Sequence, residues 1–235
     1  MKILDLTFSS PARDLSCDEA LLDDREASDG EEVLRFWQAK KYFVVLGYSN
    51  CWKEEVRAGS GAPVHRRCSG GGAVLQGPGC LNYSLILKIR PGGPLDNIRS
   101  TNEYVMQRHR QALEKLLKKE VRVQGHTDLT LGALKFSGNS QRRKRKYLLF
   151  HGTFLLDFDL SQLDRTLKLP AKQPAYRQNR GHSSFVTNIG VPVEKLKQAL
   201  AKCWDAKIRL TDTPKKRIEE LTCMRYSKDA WNLKF

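Results

Sequence analysis

The chain has 235 residues, 40% hydrophobic and 29% charged, and a formal net charge of +15. This balance excludes a disordered or fibrous chain, and no run of apolar residues is long enough for a transmembrane helix. The excess of positive charge points to nucleic acid, a phosphate-bearing ligand or an acidic protein, and composition does not choose among them.

The start, MKILDLTFSSPARDL, breaks its apolar run at Asp5 and has no signal-peptide core, so a cytoplasmic protein without a membrane partner is expected. LSCDEALLDDREAS predicts an N-terminal helix with Ser16 as its N-cap. KYFVVLGY reads as a buried strand ending at Gly47. GAVLQ and LNYSLILKI read as the next two strands, joined by a Gly77-Pro78-Gly79 turn. The second does not alternate cleanly, which predicts cover on both faces. STNEYVMQRHRQALEKLLKK is the clearest helix, with a Ser100/Glu103 capping box and an apolar stripe at Val105, Ala112, Leu113, Leu116 and Leu117. EVRVQG and DLTLGALKFSG suggest two short strands with a turn. YLLFHGTFLLDFDL is a long apolar strand that His151-Gly152 should interrupt. VPVEKLKQALAKCW and TPKKRIEEL are late helices, the second with Pro214 near its first turn. The expected class is α+β, with mixed, largely antiparallel sheets flanked by helices, in one domain over residues 1–235.

Four stretches are candidates to carry chemistry. In RRCSGGGAVLQGPGC, Gly70, Gly71 and Gly72 allow positive φ and close approach to a ligand, and successive amides there can point at one anion. Arg66 and Arg67 add charge, and at most one should face inward, since strand neighbours alternate. In LKFSGNSQ, Lys135 supplies a point charge for a phosphate or carboxylate, followed by the small polar residues Ser137, Gly138 and Asn139. In FHGTFLLD, His151 alone reads as a structural histidine. Asp128 in HTDLTL fits a metal ion, a ribose or a turn. Taken singly, the triple glycine is a turn more often than a ligand site, and Lys135 a surface residue. The six cysteines, Cys17, Cys51, Cys68, Cys80, Cys203 and Cys223, form no CxxC pair.

In their order and wording these segments resemble the lipoate–protein ligase A family of the biotin and lipoate ligase group. LSCDEALL, VVLGYSN, QPAYRQNRGHSSFVTNIG and DAWN extend the resemblance over roughly residues 15–231. It implies activation of lipoate or octanoate with ATP and Mg²⁺, through an acyl-AMP, and transfer to a lysine. The implied acceptors are lipoyl domains of 2-oxoacid dehydrogenase complexes or the glycine cleavage H protein. By similarity, Lys135 stands between the acyl carbonyl and the phosphate. Gly71, Gly72 and Ala73 line the path, Arg66 contacts the charged end, and Asp128 lies near the nucleotide or its Mg²⁺. Gly47, Tyr48 and Asn50 border the acyl pocket, and His151 and Gly152 support its floor. Ser69, Gly70, Asn82, Ser137, Gly138 and Asn139 complete the implied substrate- and nucleotide-binding set.

Departures from the family pattern leave alternatives open. The chain stops soon after DAWN, so no C-terminal accessory domain is expected, and a separate small protein is a candidate to supply it. Acyltransferases of the same fold move octanoyl from a carrier without ATP. Some use a cysteine, and Cys80 stands where the ligases commonly show Asn. The basic run QRRKRKY reads either as a hairpin tip or as a docking patch for acidic lipoyl domains. A nucleic-acid-binding module is the alternative of a different class, although no interleaved aromatics accompany the run.

Overall fold

The computed structural model describes residues 1–235. Along the chain run β1 (Lys2–Asp5), β2 (Val33–Trp37), β3 (Phe43–Leu46), β4 (Val64–Arg66), β5 (Val74–Gln76), β6 (Cys80–Lys88), β7 (Arg122–Gln124), β8 (Asp128–Leu131), β9 (Leu134–Arg143), β10 (Tyr147–Leu155) and β11 (Ile208–Arg209). The helices are α1 (Pro11–Ser28), α2 (Trp52–Glu55), α3 (Ile98–Leu117), α4 (Ser161–Thr166), α5 (His182–Phe185), α6 (Val193–Cys203), α7 (Lys215–Leu221) and α8 (Asp229–Asn232). Eight strands form one sheet in the order β11-β1-β2-β6-β10-β9-β8-β7, and β4-β3-β5 form a second. β1 runs parallel to β2 and β11, while the rest of the large sheet is antiparallel. The expected α+β class with mixed, mainly antiparallel sheets is what the chain adopts. No helix is long and apolar enough to cross a membrane.

The non-alternating pattern of LNYSLILKI has a direct cause. Leu81, Tyr83, Leu85 and Leu87 of β6 face a core closed by α3 and α6, together with Phe36, Phe150 and Phe154. Ile86 on the opposite face packs with Leu21 and Leu22 of α1 and Leu149 of β10. Both faces are covered, so apolar side chains are retained on each.

Several local expectations are corrected. α1 starts at Pro11, whose fixed φ suits a first turn, and not after Ser16. Ser16 is buried inside the helix and donates to the Ala12 carbonyl at 2.6 Å. α3 is capped by Asn97, whose side chain accepts from the Ser100 amide at 3.0 Å. Glu103 pairs instead with exposed Arg99. The Gly77-Pro78-Gly79 turn joins no hairpin, because β5 and β6 belong to different sheets. It is pinned to the end of β10, where the Leu156 amide donates to the Gly79 carbonyl at 2.9 Å. His151 and Gly152 do not interrupt β10, which pairs with both β6 and β9 through them. Strands β1, β2, β4 and β11 were not among the expected elements.

β2 is obscured in the sequence because Arg35 sits at its centre. The side chain is fully buried and is bound by Asp14 and Asp18 of α1, each at 2.6 Å. One guanidinium between two carboxylates leaves one negative charge uncompensated, and the two acids divide it unequally. Burial pushes Asp14 up to about 6, although Arg35 pulls the other way. For Asp18 burial also raises the pKa, but Arg35, His151 and Ser84 outweigh it and hold the carboxyl below its usual range.

The C-terminal segment is fastened by Arg66. This residue was expected at the ligand's charged end, but its side chain is fully buried and turned toward the C-terminus. Its guanidinium donates to the carbonyls of Gly47, Tyr48, Asn50, Trp231 and Asn232. Trp231 Nε1 returns a bond to the Arg66 carbonyl at 2.9 Å. Arg66 thus ties β4 and the β3 exit to α8.

Two outcomes test this reading. Carboxyl NMR should give Asp14 a midpoint of about 6, with Asp18 below its ordinary value. A raised carboxyl takes its proton more readily in the folded chain. The Asp14 contribution to stability is therefore fully present below pH 3.8 and is lost as pH rises through about 6. Asp14→Asn should flatten the stability profile in that window. An Asp14 midpoint near that of an exposed aspartate would refute the assignment. Arg66→Met should lower the unfolding free energy by about 3 kcal/mol in a denaturant titration, because five carbonyls lose their donor at once. A loss below about 1 kcal/mol would show that the clamp carries little.

Candidate active site

A cavity of about 770 Å³ opens between the small sheet and strands β8, β9 and β10. Lys135 and Asp128 stand in it as an ion pair, Nζ to Oδ1 at 2.8 Å. Two features of β8 and β9 bring them together. The pairing of Leu129 with Ser137 places Asp128 across from Gly138, and a bulge follows at Phe136. Lys135 and Gly138 are three residues apart and would face opposite ways on a regular strand. The extra residue restores a common face. Gly138 then provides the space: a Cβ there would lie 2.8 Å from Lys135 Nζ. The other Asp128 oxygen accepts from the Tyr176 hydroxyl at 2.7 Å.

Gly152 makes room in the same way for Asn139. A Cβ at Gly152 would be 1.8 Å from Asn139 Oδ1. Asn139 lies flat across β10, accepts from the Tyr83 hydroxyl at 2.6 Å and donates to the Thr127 carbonyl at 2.5 Å. It thereby holds the β7–β8 turn at the rim of the cavity.

The facing wall is the glycine loop, organised by Arg67. This side chain is buried and donates to the Gly70 carbonyl at 2.6 Å, the Gly72 carbonyl at 2.9 Å and Ser69 Oγ at 3.0 Å. With the carbonyls of Gly70 and Gly72 drawn inward, the amides of Gly70, Gly71 and Gly72 donate to no protein group. Gly71 adopts φ +90°, open to glycine at little strain. Gly47 lets the loop settle, since a Cβ there would meet the Gly71 carbonyl at 1.9 Å. Burial lowers the Arg67 pKa to about 10, opposed by Cys68 and Glu55, so the group remains a cation at neutral pH.

Behind the loop, Ser69 Oγ is 2.6 Å from His151 Nε2, and His151 Nδ1 is 3.5 Å from Asp18 Oδ2. Arg67 Nε already donates to Ser69, so the Ser69 hydroxyl is free to donate to Nε2. The His151 proton then sits on Nδ1, facing Asp18. A continuous polar chain runs from the Asp14–Arg35–Asp18 cluster to the glycine loop.

Of the residues singled out in the sequence, Lys135, Gly71, Gly72, Ala73, Asn82, Asp128, Ser137, Gly138, Asn139, His151 and Gly152 all line this one cavity. Ser69 and Gly70 lie one step behind, bound to His151, Arg67 and Ser140. Arg66, Gly47, Tyr48 and Asn50 do not line it. They form the underside of the loop, with Tyr48 packed edge-to-face against Trp231 and its ring covered by the Lys234 ammonium. The inward arginine of the pair is Arg67. Gln76, Tyr83 and Arg177 also line the cavity and were not singled out. β6 is apolar on both faces, so no alternation marked Tyr83, and Arg177 lies in a short 3₁₀ turn outside the motifs.

Asp128, expected near the nucleotide or its Mg²⁺, lines the cavity with one oxygen on Lys135 and the other on the Tyr176 hydroxyl. No group of three His, Cys, Asp or Glu side chains is placed to hold a metal ion by itself. None of the six cysteines lines the cavity. Cys80 packs under β3 and β5, and burial pushes its thiol up to about 12. The basic run forms the β9–β10 hairpin tip. Arg143 donates to the Leu95 carbonyl and Lys144 pairs with Asp23, so part of its charge serves the fold.

A model of the lipoyl protein ligase A/B catalytic domain matches residues 10–204. Lipoate–protein ligase 1 of Staphylococcus aureus is 28% identical over 243 residues, covering 96% of this chain and 70% of its own. The octanoyltransferase LipM of Geobacillus kaustophilus is 24% identical over 272 residues, covering 99% and 98%. Among solved structures, a lipoate–protein ligase A bound with ATP superimposes with a TM-score of 0.83 at 23% identity, covering 99% and 98%. A structure of the bipartite lipoate protein ligase of Thermoplasma acidophilum, described together with its E2 lipoyl domain, gives 0.83 at 23%, covering 99% and 95%. The matched segment takes in the glycine loop, Lys135 and the cavity between them, and the chain therefore belongs to the lipoyl protein ligase A/B catalytic-domain family of enzymes.

Proposed function

We propose that this enzyme is a lipoate–protein ligase that uses ATP to activate lipoate or octanoate and passes the acyl group to a lysine of a lipoyl domain. The observation that carries the reading is the meeting of Lys135 and the unpaired amides of the glycine loop in one cavity. The wall is cationic, with Arg67, Lys135, Lys168, Lys172 and Arg177 against Asp18, Glu55 and Asp128. Leu15, Trp37, Val45 and Leu75 add apolar surface suited to an acyl chain.

In the first step a carboxylate oxygen attacks the α-phosphorus, and the bond from that phosphorus to pyrophosphate breaks. Two anions must come together, so charge is the main obstacle. Lys135 neutralises it at the reacting carboxylate and phosphate, and the loop amides donate to the oxygens that gain charge. Mg²⁺, if used, would arrive on the nucleotide phosphates. In the second step the acceptor amine attacks the acyl carbonyl. AMP leaves with the bonding electrons, and the amine loses its extra proton.

The acceptor in this proposal is a lipoyl domain of a 2-oxoacid dehydrogenase complex or the glycine cleavage H protein. The bipartite archaeal relative supports a separate accessory subunit. Octanoyl transfer without ATP is the second reading, favoured by similarity to LipM along nearly the whole chain. The burial of Cys80 weighs against a thiol route within it.

Carboxylate-dependent exchange of labelled pyrophosphate into ATP separates the two readings. Exchange is expected with lipoate or octanoate, and Lys135→Ala should lower it about 10²–10³-fold. Octanoyl transfer from a carrier with no exchange would overturn the ligase reading. Gly138→Ala should leave the melting temperature nearly unchanged, since the atom it meets is the flexible end of Lys135. It should nevertheless cut exchange at least about tenfold by displacing that ammonium. Full activity in this variant would show that the observed Lys135 position is not the working one.

A further inference from the structure

Arg177 lies in the cavity wall, at the end of a 3₁₀ turn over Ala175–Arg177, and is only 6% exposed. Its Nε donates to the Arg180 carbonyl at 3.0 Å, and its Nη2 faces His182 Nδ1 at 3.3 Å. The ring of Phe185 lies 4.5 Å from the guanidinium carbon. His182 Nε2 faces the Lys168 carbonyl at 3.1 Å, so the imidazole proton belongs on Nε2 and Nδ1 accepts from Arg177. Burial lowers the His182 pKa and favours that neutral form. The planar group is therefore held on one edge and one face.

The other edge is free. Every side-chain nitrogen of Arg67 donates to protein, whereas Nη1 of Arg177 has no protein acceptor and is not sealed from solvent. No carboxylate pairs with Arg177 directly. Asp164 and Asp128 act on it at longer range, and both are committed elsewhere, Asp164 to the amides of His182 and Ser183 and Asp128 to Lys135 and Tyr176. A buried cation with no directly paired carboxylate and one edge unbonded at a cavity wall is a receptor for an anion.

We infer that Arg177 is an oxyanion-binding residue that takes the phosphate chain of the nucleotide. The identity of the ligand rests on the proposed adenylating reaction; the anion site itself does not. Its place in the chain supports the division of labour. Tyr176 binds Asp128, and the Thr187 amide donates to the Lys135 carbonyl at 2.9 Å, so residues 176–187 are fastened beside Lys135. Lys135 serves the reacting carboxylate and α-phosphate, and Arg177 the leaving pyrophosphate. As the bond between the α-phosphorus and the bridging oxygen breaks, its electron pair passes to pyrophosphate, where the guanidinium answers the added charge.

Calorimetric titration with inorganic pyrophosphate, and separately with octanoate, tests the assignment on wild type, Arg177→Gln and Arg177→Lys. Arg177→Gln should bind pyrophosphate about 10–100-fold more weakly, with octanoate affinity changed less than about twofold. Arg177→Lys keeps the charge but loses the planar fork and should fall between. If the glutamine variant does not fold, the lysine variant decides. Unchanged pyrophosphate affinity in a folded variant overturns the inference, as does a wild type that binds no pyrophosphate. Weakened octanoate binding with intact pyrophosphate binding also overturns it, because the anion would then be the acyl carboxylate. Failure of the ligase reading appears separately, as absence of carboxylate-dependent exchange in the wild type.

Discussion

The buried guanidinium of Arg67 is the constraint on which the site depends. A cation without a carboxylate partner in a protein interior is unfavourable unless dipoles replace the water it has lost. Here the dipoles are the carbonyls of Gly70 and Gly72 and the Ser69 hydroxyl. Satisfying Arg67 therefore decides which way the loop's peptide units turn. Carbonyls go inward to the arginine, and the amides are left without protein partners. One interaction both stabilises the loop and creates an anion-accepting surface, with the cation close behind it to strengthen the local potential.

Around that loop, three glycines act through the space they leave. Gly47 admits the Gly71 carbonyl, Gly138 admits the Lys135 ammonium, and Gly152 admits the Asn139 amide. Each couples a backbone position to a neighbour that comes from the glycine loop, from another strand or from beyond a bulge. Such couplings explain why the small residues are spread along the sequence yet converge in space. They also explain why Arg66 and Arg67, adjacent in the chain, do unrelated work. Their side chains diverge from β4, one into the C-terminal clamp and the other into the loop.

α3 was legible because its apolar residues recur at the helical spacing, and β6 and β10 because they are apolar runs bounded by turn residues. β2 was not, because Arg35 in its middle is neutralised by acids on α1, a contact no local window contains. The same contact misled the start of α1, where buried polar residues imitate a cap. The β5–β6 turn looked like a hairpin because turn residues fix local geometry and not the sheet each strand joins. In the site, most of the motif residues did line the cavity. The exceptions were Ser69 and Gly70, one step behind the wall, and Arg66, Gly47, Tyr48 and Asn50, which touch the loop from beneath, and a motif cannot tell the two sides of a loop apart.

The Lys135–Asp128 pair shows how the site can be ordered before a ligand arrives without being blocked. The lysine is partly exposed, and its partner also accepts from Tyr176. The pair is partly open to the cavity, and a phosphate or carboxylate oxygen offers Lys135 the same charge-assisted hydrogen bond in exchange for Asp128. Asp128 keeps the Tyr176 hydroxyl, whose pKa burial and Asp128 raise further, so it stays a donor. The bulge at Phe136 and the gap at Gly138 fix where the ammonium can lie, and they are backbone features that a ligand does not disturb. Preorganisation therefore resides in the strand geometry, while the charge itself remains available for exchange. That separation suits the role proposed for Lys135, a cation shared by the two anions of the activating step.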